Sequence, residues 1–282
     1  MKKKLLSFLL ALCMVLCLVP TTAFAEGETG VAINTTNFPD ANFRTVVENY
    51  DTNKDGNLSD TEIAAVKELY CYERGISDLT GIGYFTALET LHCYGNQLTT
   101  LDVSKNTNLK ELKCASNQLT SLDVSGNSAL TRLYCNNNQL SLLNVGGCIN
   151  LKDLHCFQNQ LTALDVSQNT NLEKLQCDTN QLTVLDVSQN AKLNDLGCWD
   201  NPLTSLDISG TSLNYLYYDN YQGGYHIEVD PDRTFDLSTL PGNFDVRKAS
   251  GWIGGIVSGN TLKVDADKGF VTYQYDCGKG QK

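Results

Sequence analysis

Residues 109–145 read LKELKCASNQLTSLDVSGNSALTRLYCNNNQLSLLNV. The stretch holds two copies of one pattern: Leu109, Leu112, Cys114, Asn117, Leu119, Leu122 and Val124 return as Leu130, Leu133, Cys135, Asn138, Leu140, Leu143 and Val145. The interval is 21 residues, and it extends outward in both directions through Cys93, Cys156, Cys177 and Cys198. A fixed period of this length is the mark of a solenoid, in which each unit buries its apolar edge only by stacking on the next.

Within each unit the triplet Leu-x-Cys reads as a short strand. Leu and Cys point to one side and their neighbours to the other, so stacked strands place apolar columns inside and variable columns outside. Asn96, Asn117, Asn138, Asn159, Asn180 and Asn201 follow the strands. An amide has both donors and an acceptor for a bending backbone, so this column is expected to form a hydrogen-bonded ladder. Arg74 takes its place in the opening unit. A second polar column, Asp102, Asp123, Asp165, Asp186 and Asp207, has Asn144 in the same register, which favours turn capping over calcium held between coils. The cysteines occupy a core position and are expected to be buried thiols acting as small hydrophobes, with neighbouring disulfides or a soft-metal column as the alternatives. Cys148, in a turn outside the column, and Cys277 are expected to be the more exposed thiols.

The pattern LxxLxCxxNxLxxLxV resembles the leucine-rich repeat, with Cys where that family usually has its third Leu. The resemblance covers residues 69–220, about eight repeats. The opening unit Ile76 to Leu88, ISDLTGIGYFTAL, is similar to internalin-type proteins exported by Gram-positive bacteria. The fold class expected is α+β: a leucine-rich-repeat solenoid with a parallel sheet on its concave face, an N-terminal helix-loop-helix cap at 37–68 and a β-rich C-terminal cap at 221–282.

The N-terminal cap is read from DTNKDGNLSDTE, Asp51 to Glu62. Oxygen ligands stand at loop positions 1, 3 and 5 (Asp51, Asn53, Asp55), Gly56 at the sharp turn, the Asn57 carbonyl at position 7 and Glu62 at position 12. This matches the EF-hand loop, which supplies a hard cation with converging oxygens, so one structural Ca2+ is expected. Phe43, Val46 and Val47 before the loop and Ile63, Val66 and Leu69 after it recur at helical spacing. Dockerins carry two such loops and only one is present here, so cohesin binding is not expected.

Residues 1–25 carry Lys2, Lys3 and Lys4, an apolar run from Leu5 to Pro20 and a small-x-small site at Ala23-Phe24-Ala25. That reads as a cleavable signal peptide, its apolar run too short to span a bilayer, with 26–36 expected as a linker behind it. The expected location is extracellular or loosely cell-surface associated after Gram-positive-type export, with no membrane insertion after cleavage. A formal charge of −11 argues against nucleic acid as a partner.

Function is sought in what varies between repeats. The residues flanking the inward Leu and Cys include Tyr70, Tyr72, His92, Tyr94, Lys113, Arg132, Tyr134, His155, Phe157, Gln176, Asp178, Trp199, Tyr215 and Tyr217. Eight strands make a platform roughly 34 Å long, rich in residue types favoured at binding hot spots. Aromatics are also simply good strand formers, which is the plain alternative. No nucleophile beside a base recurs uniquely, so the chain is expected to be a non-enzymatic, monomeric recognition protein. Its expected partner is an extracellular or cell-surface protein, or alternatively a glycan stacked on exposed rings. After Asn220 the period breaks, and residues 226–229, 261–264 and 270–275 read as strands, with a hairpin turn at Ser258-Gly259-Asn260.

Overall fold

A Leu-x-Cys triplet is too short to fold back on itself, so its backbone hydrogen bonds must go to the same triplet one coil away. The computed structural model describes residues 30–217, 233–239, 245–265 and 272–275. Strand β1 (Val31–Ala32), helix α1 (Ala41–Val47), β2 (Asn57–Leu58) and α2 (Asp60–Ala65) form the N-terminal cap. The main sheet then takes one strand per coil: β3 (Glu68–Tyr70), β4 (Thr90–His92), β5 (Glu111–Lys113), β7 (Arg132–Tyr134), β9 (Asp153–His155), β10 (Lys174–Gln176), β12 (Asp195–Gly197) and β14 (Tyr215–Tyr217). All eight are parallel and in register, so that Leu69, Leu91, Leu112, Leu133, Leu154, Leu175, Leu196 and Leu216 form one column. On another side of the coils, β6 (Ser121–Asp123) pairs with β8 (Leu142–Asn144) and β11 (Val184–Asp186) with β13 (Ser205–Asp207). The molecule is a parallel-strand leucine-rich-repeat solenoid.

The inward columns are fully buried: Leu112, Cys114, Leu133, Cys135, Leu154 and Cys156 are each 0% exposed. Cys71, in the opening coil, is a seventh member of the cysteine column, and all seven are free thiols. Burial pushes the Cys114 thiol up to about 12, which keeps it protonated and unreactive. Cys148 corrects the sequence reading, because it too is 0% exposed. Its Sγ donates to the Val124 carbonyl at 3.1 Å, and it stands in a third polar column with Asn106, Asn127, Asn169, Asn190 and Thr211 that the sequence reading missed. Asn127 in that column donates to the Val103 and Asn106 carbonyls.

The expected asparagine ladder is present. Asn117 Oδ1 accepts from Leu98 N at 3.0 Å while its Nδ2 donates to the Cys93 and Cys114 carbonyls. The aspartate column caps turns: Asp102, Asp123, Asp165, Asp186 and Asp207 each accept the backbone N–H two residues on, as Asn144 does from Gly146. Between each strand and its ladder asparagine the chain passes through the left-handed region, at Glu73, Gly95, Ser116, Asn137, Gln158, Thr179 and Asp200.

The cap differs from expectation at both ends. Helix α2 stops at Ala65 instead of running to residue 68, because Val66 turns extended and Glu68 and Leu69 are drawn into β3 by pairing with β4. Residues 31–32 are not linker: β1 pairs antiparallel with the middle of the Asp51–Glu62 loop, Val31 opposite Leu58. Phe38, Phe43, Val47 and Leu58 join the cap to the first coils in one continuous core.

At the other end, β15 (Thr234–Asp236), β16 (Ala249–Ile253), β17 (Gly255–Ser258), β18 (Thr261–Val264) and β19 (Thr272–Tyr275) pair antiparallel. The β17–β18 hairpin turns at Gly259, where φ is 58°. Leu237, Leu262 and Val264 form a core of their own, separate from that of the solenoid, and Lys248 reaches Asp207 at 4.0 Å. The signal peptide, Cys13, Cys17, the strand expected at 226–229, His226 and Cys277 lie outside the described residues. No described helix is long and apolar enough to cross a membrane.

Candidate functional site

The parallel register fixes which side chains share the open face. Next to each inward Leu, the preceding row runs Glu68, Thr90, Glu111, Arg132, Asp153, Lys174, Asp195, Tyr215, and the following row runs Tyr70, His92, Lys113, Tyr134, His155, Gln176, Gly197, Tyr217. From Glu111 to Asp195 the first row alternates in sign, so every charge faces an opposite one across the strands, a favourable cross-strand pairing. Lys174 Nζ accordingly lies 3.0 Å from Asp195 Oδ2. This ionic row was missed in the sequence analysis, although the alternation at 21-residue intervals was there to be read.

In the N-terminal half, Glu111 is the hub. Its carboxylate, 11% exposed, meets His92 Nε2 at 2.8 Å, Lys113 Nζ at 3.0 Å and Arg132 Nε at 2.6 Å. Burial alone would raise its pKa, but the hydrogen bonds from Lys113, His92 and Arg132 outweigh that and hold it down to about 2. Aromatic rings surround the hub. Tyr70 meets the His92 ring edge-on at 5.1 Å, Tyr72 and Tyr94 stack at 4.7 Å with planes 3° apart, and Lys113 Nζ lies 5.3 Å from the Tyr134 ring centroid.

Tyr134 bridges to the next coil. Its hydroxyl donates to Asp153 Oδ2 at 2.8 Å, and its ring meets that of His155 at 4.7 Å, which in turn neighbours Phe157. Burial, followed by the bond to Asp153, raises the Tyr134 phenol to about 12, so it stays a neutral donor at any physiological pH. Tyr70, Tyr72, Trp199 and Tyr215 are 43, 42, 45 and 60% exposed, whereas Tyr94, Tyr134, His92, His155 and Phe157 are half-buried against their neighbours. Thirteen of the fourteen side chains expected on this face are described; the side chain of Tyr217 is not.

The Asp51–Glu62 loop sits apart, in the cap. Asp51 accepts from Asp55 N and Gly56 N, Asn53 from Asp55 N, and Asp55 from Asn57 N. Glu62 accepts from Thr52 N and Oγ1 at 2.6 Å and from Ser59 N and Oγ at 2.9 Å, closing a capping box on α2. The donor set is all oxygen, as a hard cation requires. As described, these side chains are engaged one by one with donors of the loop, and no three His, Cys, Asp or Glu side chains among the described residues gather as an ion-binding group.

No protein-family model matches the chain. Over 71 residues it is 41% identical to Internalin J of Listeria monocytogenes serotype 4b (strain F2365), a match that spans 25% of this chain and only 8% of that much longer protein. Among solved structures, the functional domain of InlJ from Listeria monocytogenes, which includes a cysteine ladder, aligns with 72% of this chain and 64% of its own at 25% identity and a TM-score of 0.33. Internalin C2 from Listeria monocytogenes strain 4b F2365 aligns with 67% of this chain and 97% of its own at 22% identity and a TM-score of 0.49. The repeat is thus internalin-like in sequence.

Proposed function

We propose that this chain is an exported, monomeric, non-enzymatic recognition protein that binds an extracellular or cell-surface protein through the concave sheet. The observation that carries the reading is the open face itself. A surface with no partner would be expected to favour plain charge, yet this one presents Tyr70, Tyr72, Trp199 and Tyr215 largely exposed. These large amphipathic rings have their neighbours held in place by Glu111, Asp153 and Asp195, and rigid aromatic anchors inside a polar frame are the composition of binding hot spots. The Leu and Cys columns fill the core, so the rings of this face are not what packs the interior of the coil.

A single Ca2+ in the Asp51–Glu62 loop belongs to the same proposal, with Asp51, Asn53, Asp55, the Asn57 carbonyl and Glu62 as ligands. The support is the all-oxygen spacing and a loop already closed around Gly56 by the Asp51 carboxylate at 2.9 Å. Its role is structural, since β1 pairs with the loop and the cap shares the solenoid core. Capture of surface proteins by the mature chain, run beside a glycan array, tests the reading. A protein retained by the intact face and lost when Tyr134, Phe157 and Trp199 are changed supports it, and retention of glycans alone contradicts it.

A further inference from the structure

The row Tyr70, His92, Lys113, Tyr134, His155, Gln176, Gly197, Tyr217 carries a side chain at every register but one. Gly197 is not required by its backbone, since it is absent from the positive-φ glycines and lies within a regular strand. What its missing side chain provides is room. A Cβ at 197 would press on Gln176 Oε1 and stand 2.8 and 2.9 Å from the two Asp178 carboxylate oxygens. Gln176 and Asp178 lie over the buried Gly197 in that room, and above them the open face has a 310 Å³ depression lined by His155, Phe157, Lys174, Gln176, Asp178 and Trp199.

Its floor is anionic. Asp178 is 5% exposed, and one oxygen, Oδ1, accepts from Trp199 N at 3.2 Å. Among the described residues the ion pairs give it no cation: Lys174 is taken by Asp195, and the nearby His155 by Asp153. Burial accordingly raises the Asp178 carboxyl to about 6, against the backbone hydrogen bonds that lower it. Phe157 and Trp199 occupy the same row as Asp178, one coil to either side, which puts two aromatic side chains roughly 9–10 Å apart with the carboxylate between them. His155 Nε2 lies 3.0 Å from Asp153 Oδ1 on the same strand, so the imidazole at this wall is turned toward its own carboxylate.

We propose that the depression at Asp178 receives a lysine side chain of the protein partner, its ammonium on Asp178 and its alkyl stem between Phe157 and Trp199. This rests on the reading that the concave face binds a protein, and it names the chemistry of that contact. A single available carboxylate oxygen suits a point charge with three rotatable donors better than the planar fork of arginine, which seeks two parallel acceptors. The aromatic walls favour a cation over a neutral tip. A chain of formal charge −11 also attracts a basic partner from a distance.

The test uses the mature chain carrying Trp252→Phe, so that Trp199 alone reports by fluorescence. It is titrated at millimolar concentration with Nα-acetyl-lysine amide, the same compound acetylated on Nε, Nα-acetyl-arginine amide and N-acetylglucosamine. The lysine probe is expected to shift the emission saturably, and the Nε-acetylated probe to bind at least about tenfold more weakly. Asp178→Asn and Gly197→Ala, each checked for native circular dichroism, are expected to weaken the lysine probe at least about tenfold, the first by removing the charge and the second by displacing the Asp178 carboxylate that its methyl would meet. Equal binding of the neutral probe, undiminished binding to Asp178→Asn, tighter binding of the arginine probe or a response to the sugar alone would each overturn the assignment. A lysine response with no protein ever captured by this face would uphold the pocket and remove the broader reading. Capture through the face without a lysine response would do the reverse.

Discussion

Asn117 Nδ2 donates to the Cys93 carbonyl at 3.0 Å, one coil back, and to the Cys114 carbonyl at 3.1 Å in its own coil. The same amide accepts Leu98 N through Oδ1, so both its donor and its acceptor are used. The inner column asks for less. Asn106, Asn127, Asn169 and Asn190 each leave Oδ1 without a donor, and at two further positions Cys148 Sγ and Thr211 Oγ1 do the donating instead. Asn117→Cys is therefore expected to cost about 1–3 kcal/mol, while Asn127→Cys stays within about 1 kcal/mol of wild type. Urea denaturation of both variants checks this, and equal losses would refute the distinction between the two ladders.

Thr179 sits at φ 51°, a left-handed position that a β-branched side chain occupies at a cost. Gly95 stands in the equivalent place in an earlier coil. Thr179→Gly is expected to raise stability by about 0.5–1 kcal/mol, the strain relieved exceeding the added freedom of the unfolded chain. Differential scanning calorimetry should show a higher midpoint; a lower one would mean that the Thr179 side chain contributes more than its backbone loses.

Asp178 gives stability a pH dependence of the less common sign. Its folded pKa, about 6, lies above the ordinary aspartate value of 3.8, so between these values the folded chain holds more protons than the unfolded one. Its contribution is most favourable below the unfolded pKa and is lost as pH rises through 6, a penalty of up to about 3 kcal/mol at pH 8. Glu111 acts oppositely: held at about 2, it stabilises above the ordinary glutamate value of 4.5 and loses that effect as pH falls toward 2. Asp178→Asn is expected to stabilise the chain at pH 8 and to flatten the difference in stability between pH 5 and pH 8. An unchanged difference would remove Asp178 as its source.

The solenoid was legible in the sequence because a 21-residue period leaves little freedom: Leu112, Cys114 and Leu133 could only be core. The capping role of Asp102 and its equivalents followed from Asn144 in the same column. Cys148 was misread because a turn position was equated with exposure, whereas in a solenoid the turns also bury one column of donors. Helix α2 was read too long because Val66 and Leu69 are spaced for a helix and a strand alike, and only the pairing of Glu68–Tyr70 with Thr90–His92 decides between them. The depression at Asp178 was beyond sequence reading, since nothing in the sequence shows that Gln176 and Asp178 lean over Gly197.

Calcium is expected to bind the cap at one site per chain. Isothermal calorimetry should give a stoichiometry near one that Glu62→Ala abolishes, and at 1 mM calcium a site of roughly 0.1 mM affinity adds about 1.4 kcal/mol of stability. A stoichiometry near five that survives Glu62→Ala would move the metal to the aspartate column of Asp102, Asp123, Asp165, Asp186 and Asp207.

The central claim is that recognition resides on the concave aromatics and is separable from folding. Leu133→Ala, which hollows the core, should cost roughly 2–5 kcal/mol of stability, and Tyr134→Ala on the open face much less. The most direct measurement is the affinity of a captured surface protein for the mature chain and for Tyr134→Ala, Phe157→Ala and Trp199→Ala made one at a time. Each is expected to lose about 2 kcal/mol of binding, some thirtyfold in Kd, with the thermal midpoint little changed. Full affinity in all three, with binding instead destroyed by a charge placed at Leu142 on the exposed side of β8, would contradict the account.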